Sequence, residues 1–367
     1  MRLGVAAAVV EGELVPGDVD VADGRLAAVG LTSGRAGLAV PGLVDLQVNG
    51  YAGVDLLHAD AAAVQELGEA LLRDGVTAYQ PTLITSPVEA TRRALGEVAA
   101  ALDACRGARI LGVHLEGPFL SPVRAGAHPA AWLRAPDPEL LAPLLVAGCP
   151  VTTVTLAPEL PRAGELVDLL VASGVVVSVG HTDADAAHAH AAFDHGCRTV
   201  THLYNAMRPF AHRDPGVVGA ALAREDVVVQ LIADGEHVAP EALLAAWRAA
   251  RGRFAIVSDA IAATGLGDGS YTLGEVEVTV EGGVSRRGDG RLAGAVRPLA
   301  WGVRLLVELG VPVVEAVAAA TSVPARVLGR SDVGVLVPGR PADVVVLDDS
   351  FAVVRVLQGG KEVVARR

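Results

Sequence analysis

The stretch Val113-His114-Leu115-Glu116-Gly117-Pro118-Phe119 is an apolar run that ends in a carboxylate followed by two chain-bending residues. A glutamate at the mouth of a buried strand is costly to leave unpaired, so it needs a cation, a hydrogen-bond network or solvent. Two histidines downstream suit the cation: Gly180-His181 follows the apolar run Val175 to Val179, and His202 follows Thr199-Val200-Thr201. Both imidazoles are expected at strand ends rather than in helices. One carboxylate and two imidazoles leave an open coordination position, the pattern of a catalytic rather than a structural divalent metal. Phe254-Ala255-Ile256-Val257-Ser258-Asp259 is a further apolar strand ending in an acid. Beside a metal, Asp259 is suited to accept the proton of a water and pass it to a leaving group, as a general base.

The remaining polar residues read more plainly. His188, His190 and His195 sit in or at the end of an alanine-rich helix and read as a solvated face, while His58 and His212 fall in loops. His114 is expected to point to the opposite side of its strand from Glu116, in a packing or supporting role. Asp234, in Ala233-Asp234-Gly235-Glu236-His237, reads equally as a site acid or a turn aspartate. The only lysine is Lys361, near the end. That removes a Schiff base, a phosphate-loop lysine and a carbamylated-lysine bridge from the middle of the chain.

Positioning these groups takes eight strands: Leu43 to Val48, Thr77 to Leu83, Ile110 to Leu115, Val151 to Leu156, Val175 to Val179, Arg198 to Thr201, Val227 to Ile232 and Phe254 to Val257. Between them lie alanine- and leucine-rich segments with charges at helical spacing, such as Ala61 to Arg73, Pro87 to Ala104, Pro161 to Ala172, Ala184 to Phe193 and Pro240 to Ala250. This alternation predicts an α/β fold, a (β/α)8 TIM-like barrel, whose site lies at the C-terminal ends of its strands. Asn49, Glu116, His181, His202, Asp234 and Asp259 all fall just after those strands. Short strands broken by Pro16-Gly17 and Asp23-Gly24 at one end, and by Gly359-Gly360 at the other, predict a small β-sandwich formed from both termini. The domains expected are 1–40 (sandwich, first part), 41–334 (barrel) and 335–367 (sandwich, second part). Tyr271 to Leu292 reads as a hairpin insertion turning at Glu281-Gly282-Gly283.

The 367 residues carry a net charge of −12, are 51% hydrophobic and only 3% aromatic, so many small side chains must build the core. The acidic balance argues against nucleic acid or an anionic membrane as partner. Cys105, Cys149 and Cys197 are far apart and odd in number, which indicates neither a disulfide framework nor a zinc ribbon. With no signal segment or membrane span in view, a soluble cytoplasmic protein is expected.

Taken in order, Pro41-Gly42-Leu43-Val44-Asp45-Leu46-Gln47-Val48-Asn49-Gly50, Pro81-Thr82-Leu83-Ile84-Thr85, His114-Leu115-Glu116-Gly117-Pro118-Phe119, Gly180-His181-Thr182, Thr201-His202-Leu203-Tyr204-Asn205-Ala206-Met207, Ala233-Asp234-Gly235 and Ser258-Asp259-Ala260 closely resemble the N-acetylglucosamine-6-phosphate deacetylases of the amidohydrolase superfamily. Gln47 and Asn49 stand where many amidohydrolases have His-x-His, which fits one divalent metal ion per subunit, zinc first among zinc, iron, manganese and cobalt. The resemblance implies Glu116, His181 and His202 as metal ligands, Asp259 as the base and later the acid, and His128 polarising the acetamide carbonyl. It further implies Gln47, Asn49, His128, Asn205, Ala206, Arg213 and His237 around an amino-sugar phosphate. Arg213 and His237 would reach the site from the neighbouring subunit of a homodimer, the arginine fork pairing with phosphate oxygens. Glu236 stands where the family usually has an apolar residue, so a carboxylate is expected near the phosphate. Leu292-Ala293-Gly294-Ala295 lacks the family's serine, so a changed acetyl pocket is expected.

Overall fold

Near-continuous valine, leucine and isoleucine runs suit strands buried on both faces, as in a parallel sheet covered by helices. In the computed structural model, which describes residues 1–34, 36–104 and 106–365, such runs form the eight barrel strands. They are β1 (Leu43–Val48), β2 (Val76–Ile84), β3 (Val113–Glu116), β4 (Val151–Leu156), β5 (Val176–Val179), β6 (Thr199–Val200), β7 (Val228–Ile232) and β8 (Phe254–Val257). Each pairs in parallel with the next. The predicted barrel is therefore present. Cys105 lies outside the described residues. The helices fall close to their predicted spans; Ala61–Arg73 starts at Asp60, whose carboxylate accepts the N–H of Ala63 at 2.8 Å.

Between β8 and β1 the ring closes by side chains as well as backbone. A parallel bridge joins Val48 to Ala260, and the N–H of Asn49 donates to the Ala260 carbonyl at 2.8 Å. Below it, Asp45 Oδ1 accepts the N–H groups of Ser258 (3.1 Å) and Gln47 (3.3 Å), while Oδ2 is buried without a partner among the described residues. Burial pushes this carboxyl up to about 6. The folded state thus holds the proton more tightly than the unfolded chain, and ionising Asp45 costs stability as pH rises through 6. Asp45→Asn cannot ionise. We expect denaturant titrations to show its stability, relative to the native chain, improving by about 2–3 kcal/mol between pH 4 and pH 8; a pH-independent difference would refute this account of the seam.

Both chain ends build one six-stranded sheet. Its order is Glu13–Pro16, Ala7–Val10, Leu38–Pro41, Val344–Leu347, Val353–Gln358, Lys361–Ala365. The ends join where Leu38–Pro41 pairs antiparallel with Val344–Leu347. Leu38–Pro41 is missing from the predicted strands, being short and ending in proline. Against the sheet packs the hairpin of Asp18–Ala22 with Arg25–Leu31, enclosing Val19, Val21, Leu26, Val344 and Leu357.

Two elements differ from expectation. The third strand breaks into Arg109–Ile110 and β3 because Gly112, at φ 98°, turns the chain where a side chain would meet Thr152 at 2.4 Å. The insertion after β8 is a three-stranded sheet, Gly269–Leu273, Val276–Glu281 and Val284–Arg287, rather than one hairpin. Its first strand starts at Gly269, two residues before the predicted insertion. Among the described residues, no helix is long and apolar enough to cross a membrane.

Candidate active site

At the C-terminal rim, β3 delivers Glu116 directly, while β5, β6 and β8 run two residues further to His181, His202 and Asp259. These last three have φ of 48°, 29° and 50°. A non-glycine residue in the left-handed region is strained by about 1–3 kcal/mol, a cost that surrounding structure must sustain and that clusters at functional sites. Here the kink turns each chain off the barrel wall.

The result is a triangle of donor atoms. Glu116 Oε1 lies 3.1 Å from His181 Nε2 and 3.0 Å from His202 Nε2, and the two nitrogens are 3.1 Å apart. Ligands about 2.0–2.1 Å from a tetrahedral zinc stand a little over 3 Å from one another, so this spacing fits a divalent ion. Supporting contacts agree. The Arg124 carbonyl accepts from His181 Nδ1 at 3.0 Å, which puts the proton on Nδ1 and leaves the Nε2 lone pair facing the triangle. Gln47 Nε2 donates to Glu116 Oε1 at 3.1 Å. Burial alone would raise the Glu116 carboxyl, but the surrounding imidazoles of His128, His181 and His202 hold it well below the usual range. Gly126, at φ 58°, allows the loop after β3 to lie on this cluster; a side chain there would stand 3.1 Å from His181.

His128 belongs to the same group, since one ligand atom each of Glu116, His128 and His181 fits within 4.8 Å. Its role differs. The N–H of Thr85 donates to His128 Nδ1 at 3.2 Å, so the proton sits on Nε2, 3.6 Å from Glu116 Oε2. A protonated nitrogen is a donor, not a ligand.

Asp259 is fixed by Asn49, whose Nδ2 donates to Oδ1 at 2.7 Å. Burial and the negative charge of Glu116 push its carboxyl up to about 7. A carboxylate poised near neutrality can both take and return a proton.

These groups line a pocket of about 410 Å³ together with Asn205, Ala206, His237, Arg124, Arg291, Ile84 and Leu273. His237 Nδ1 donates to Asp234 Oδ2 at 2.7 Å, and Asp234 Oδ1 also accepts the N–H groups of Glu236 and His237 at 2.9 Å. Asp234 is thus a turn aspartate that also orients a pocket histidine. The Asn205 Nδ2 is buried without a partner among the described residues.

Several expected residues lie elsewhere. Gln47 is fully buried beneath Glu116 instead of on the pocket wall. Arg213 is exposed and outside the pocket of its own chain. Glu236 is exposed and also off the lining, and Ala295 is buried in the core with Val44, Leu46 and Val257, so neither departure faces the pocket. His114 does not point away from Glu116. Strand side chains alternate, so positions two apart share a face; His114 sits under Glu116, bonded through Nε2 to Thr155 Oγ1 at 2.7 Å. Burial lowers it to about 4 and keeps it neutral.

A model of the amidohydrolase family matches residues 38–363. The chain belongs to that family. This amidohydrolase is 41% identical over 327 residues to the N-acetylglucosamine-6-phosphate deacetylase of Mus musculus, covering 85% of this chain and 80% of that protein. It is 38% identical over 362 residues to the N-acetylgalactosamine-6-phosphate deacetylase of Escherichia coli O157:H7, covering 95% of each. A solved mutant N-acetyl-D-glucosamine-6-phosphate deacetylase of Mycobacterium smegmatis, in complex with N-acetyl-D-glucosamine-6-phosphate, superposes with a TM-score of 0.93 at 35% identity, covering 100% of this chain and 99% of that one.

Three parts of the amidohydrolase's site have no role in the sequence reading. Arg124 and Arg291 line the pocket, and Arg287 Nη1 donates to the carbonyls of Gly126 and Ala127 at 3.1 Å, tying the insertion to the His128 loop. Arg124 lies four residues before His128 in the sequence, which is its one signal. The arginines of the insertion had none.

Proposed function

We propose that this amidohydrolase hydrolyses the acetamide of N-acetylglucosamine 6-phosphate to acetate and glucosamine 6-phosphate, in amino-sugar catabolism. The observation that carries the reading is the convergence on one pocket of the Glu116–His181–His202 donor triangle, the donor face of His128 and the raised carboxyl of Asp259. The names of the relatives supply the substrate. Glu116, His181 and His202 hold the divalent ion, which when bound supplies Lewis acidity to the acetamide carbonyl and the attacking water. Zinc is the first choice; the same ligands suit iron, manganese or cobalt.

Asp259 carries the proton. Its Oδ1 is engaged by Asn49, so Oδ2 takes the proton of the attacking water and then delivers it to the departing amine. His128 Nε2–H donates to the carbonyl oxygen as negative charge develops there, and Thr85 fixes that donor in place. Asn205, Ala206 and His237 bind the sugar phosphate. Arg213, exposed three residues after the 56%-exposed Phe210, completes the phosphate site of a second copy in a homodimer. A phosphorylated sugar does not cross membranes unaided, which puts the enzyme in the cytoplasm.

Acetate release from N-acetylglucosamine 6-phosphate tests this, with the unphosphorylated sugar and the galacto epimer alongside, before and after chelation and metal restoration. Release from a phosphorylated sugar, lost on chelation and regained with metal, is the expected result. The galacto epimer enters because the relative from Escherichia coli O157:H7 is named for it. Absence of release from all three by metal-loaded protein would sink the proposed reaction.

A further inference from the structure

The loop after β3 carries a cation that the sequence reading leaves without a role. Arg124 ends the short turn Pro122–Arg124, and its Nε and Nη2 both rest on Asp183 Oδ1, at 2.8 and 2.7 Å. Asp183 is itself held. Its N–H donates to Glu159 Oε1 at 2.7 Å, and its carbonyl accepts from Arg208 Nη1 at 3.3 Å. Next to it, the Thr182 N–H donates to the Ala206 carbonyl at 3.2 Å, and the Arg208 N–H to the Thr182 carbonyl at 3.0 Å. Asp183 therefore sits where the exit of β5 is strapped to the loop carrying Asn205 and Ala206. The Arg124 loop abuts that strap as well, because a side chain on Gly126 would lie 3.4 Å from Ala206 Cβ.

Donors are in excess here. Arg124 lines the pocket, is 31% exposed, and its Nη1 has no partner among the described residues. Asn205 Nδ2 is buried and unpaired among the described residues. An arginine held along one edge by a carboxylate loses little side-chain freedom when its other edge meets an anion. Two unpaired donors facing one cavity suit an oxyanion.

We propose that Arg124 binds the substrate phosphate from within its own subunit, with Asp183 gripping one edge of the guanidinium and Nη1 left for a phosphate oxygen. This rests on the proposed sugar-phosphate reading and adds to it a cation that does not come from a second copy. The fork matters as well as the charge, so lysine at this position replaces arginine only in part.

Calorimetric titration of the metal-loaded native protein, Arg124→Gln and Arg124→Lys with glucosamine 6-phosphate tests the assignment, together with KM and kcat for the phosphorylated substrate and metal content. We expect the dissociation constant and KM to rise by about 10- to 100-fold in Arg124→Gln, the worth of one hydrogen bond to a charged group. Arg124→Lys should fall between, with kcat changing less than about threefold and the metal retained. Native-like affinity in Arg124→Gln overturns the proposal. So does a variant that loses metal and kcat together, since the side chain would then serve the scaffold around His181. The two readings fail separately: a native protein that binds glucosamine 6-phosphate through Arg124 yet releases no acetate refutes the reaction alone, and one that releases acetate with Arg124→Gln unimpaired refutes the arginine alone.

Discussion

Asp259→Asn is expected to lower kcat by about 10³-fold while leaving affinity for glucosamine 6-phosphate within a few-fold of the native value. Asparagine is nearly the same shape and can still accept from Asn49, which donates to Oδ1 at 2.7 Å, so the pocket should survive. What disappears is the ability to take and return a proton. The native pH profile follows from the same group. Burial and Glu116 push Asp259 up to about 7, and the working form is the carboxylate, so activity falls as pH drops through that value. A bound divalent cation favours the carboxylate and moves this acid limb below 7. Measured kcat/KM against pH should therefore show one protonation abolishing activity on the acid side. Turnover of Asp259→Asn within tenfold of native would remove Asp259 from the mechanism.

The legibility of this site has a physical basis. Glu116, His181 and Asp259 follow largely apolar runs and His202 a β-branched one, Thr199-Val200-Thr201, that suit a buried strand, and a polar residue placed there has little choice but the rim of the barrel. That inference needs only composition and order. The contacts that give those residues their roles are different in kind. His181 is oriented by the carbonyl of Arg124, and every residue has a carbonyl. The tautomer of His128 is set by the backbone N–H of Thr85, equally anonymous in a sequence. His114 was misplaced by an error of parity, since two residues along a strand return to the same face. The layer it belongs to, where Thr155 Oγ1 on β4 joins His114 to Thr201 Oγ1 at 2.8 Å beyond β6, skips over β5 and exists only once the barrel curves.

Gln47 shows how closely motif and position must be separated. Its residue type matches a family pattern, but whether it faces substrate or supports a ligand depends on depth along β1. The structure puts it one level down, donating to Glu116 with its own Oε1 buried and unpaired among the described residues.

The second large effect separates two histidines that proximity alone confuses. His128 and His202 both approach Glu116, one at 3.6 Å from Oε2 and the other at 3.0 Å from Oε1. His202 Nε2 completes the donor triangle with His181, whereas His128 Nε2 carries a proton because Thr85 occupies the other nitrogen. We therefore expect His202→Ala to lose metal affinity by well over the roughly 10- to 100-fold that follows removal of a mere supporting partner. His128→Ala should keep its metal and instead lose about 10²- to 10³-fold in kcat, the effect of deleting one donor to a developing oxyanion. Metal analysis after dialysis, paired with kcat, reads both at once. Metal lost from His128→Ala and retained by His202→Ala would invert the assignment, making His128 the third ligand and leaving the carbonyl without its donor.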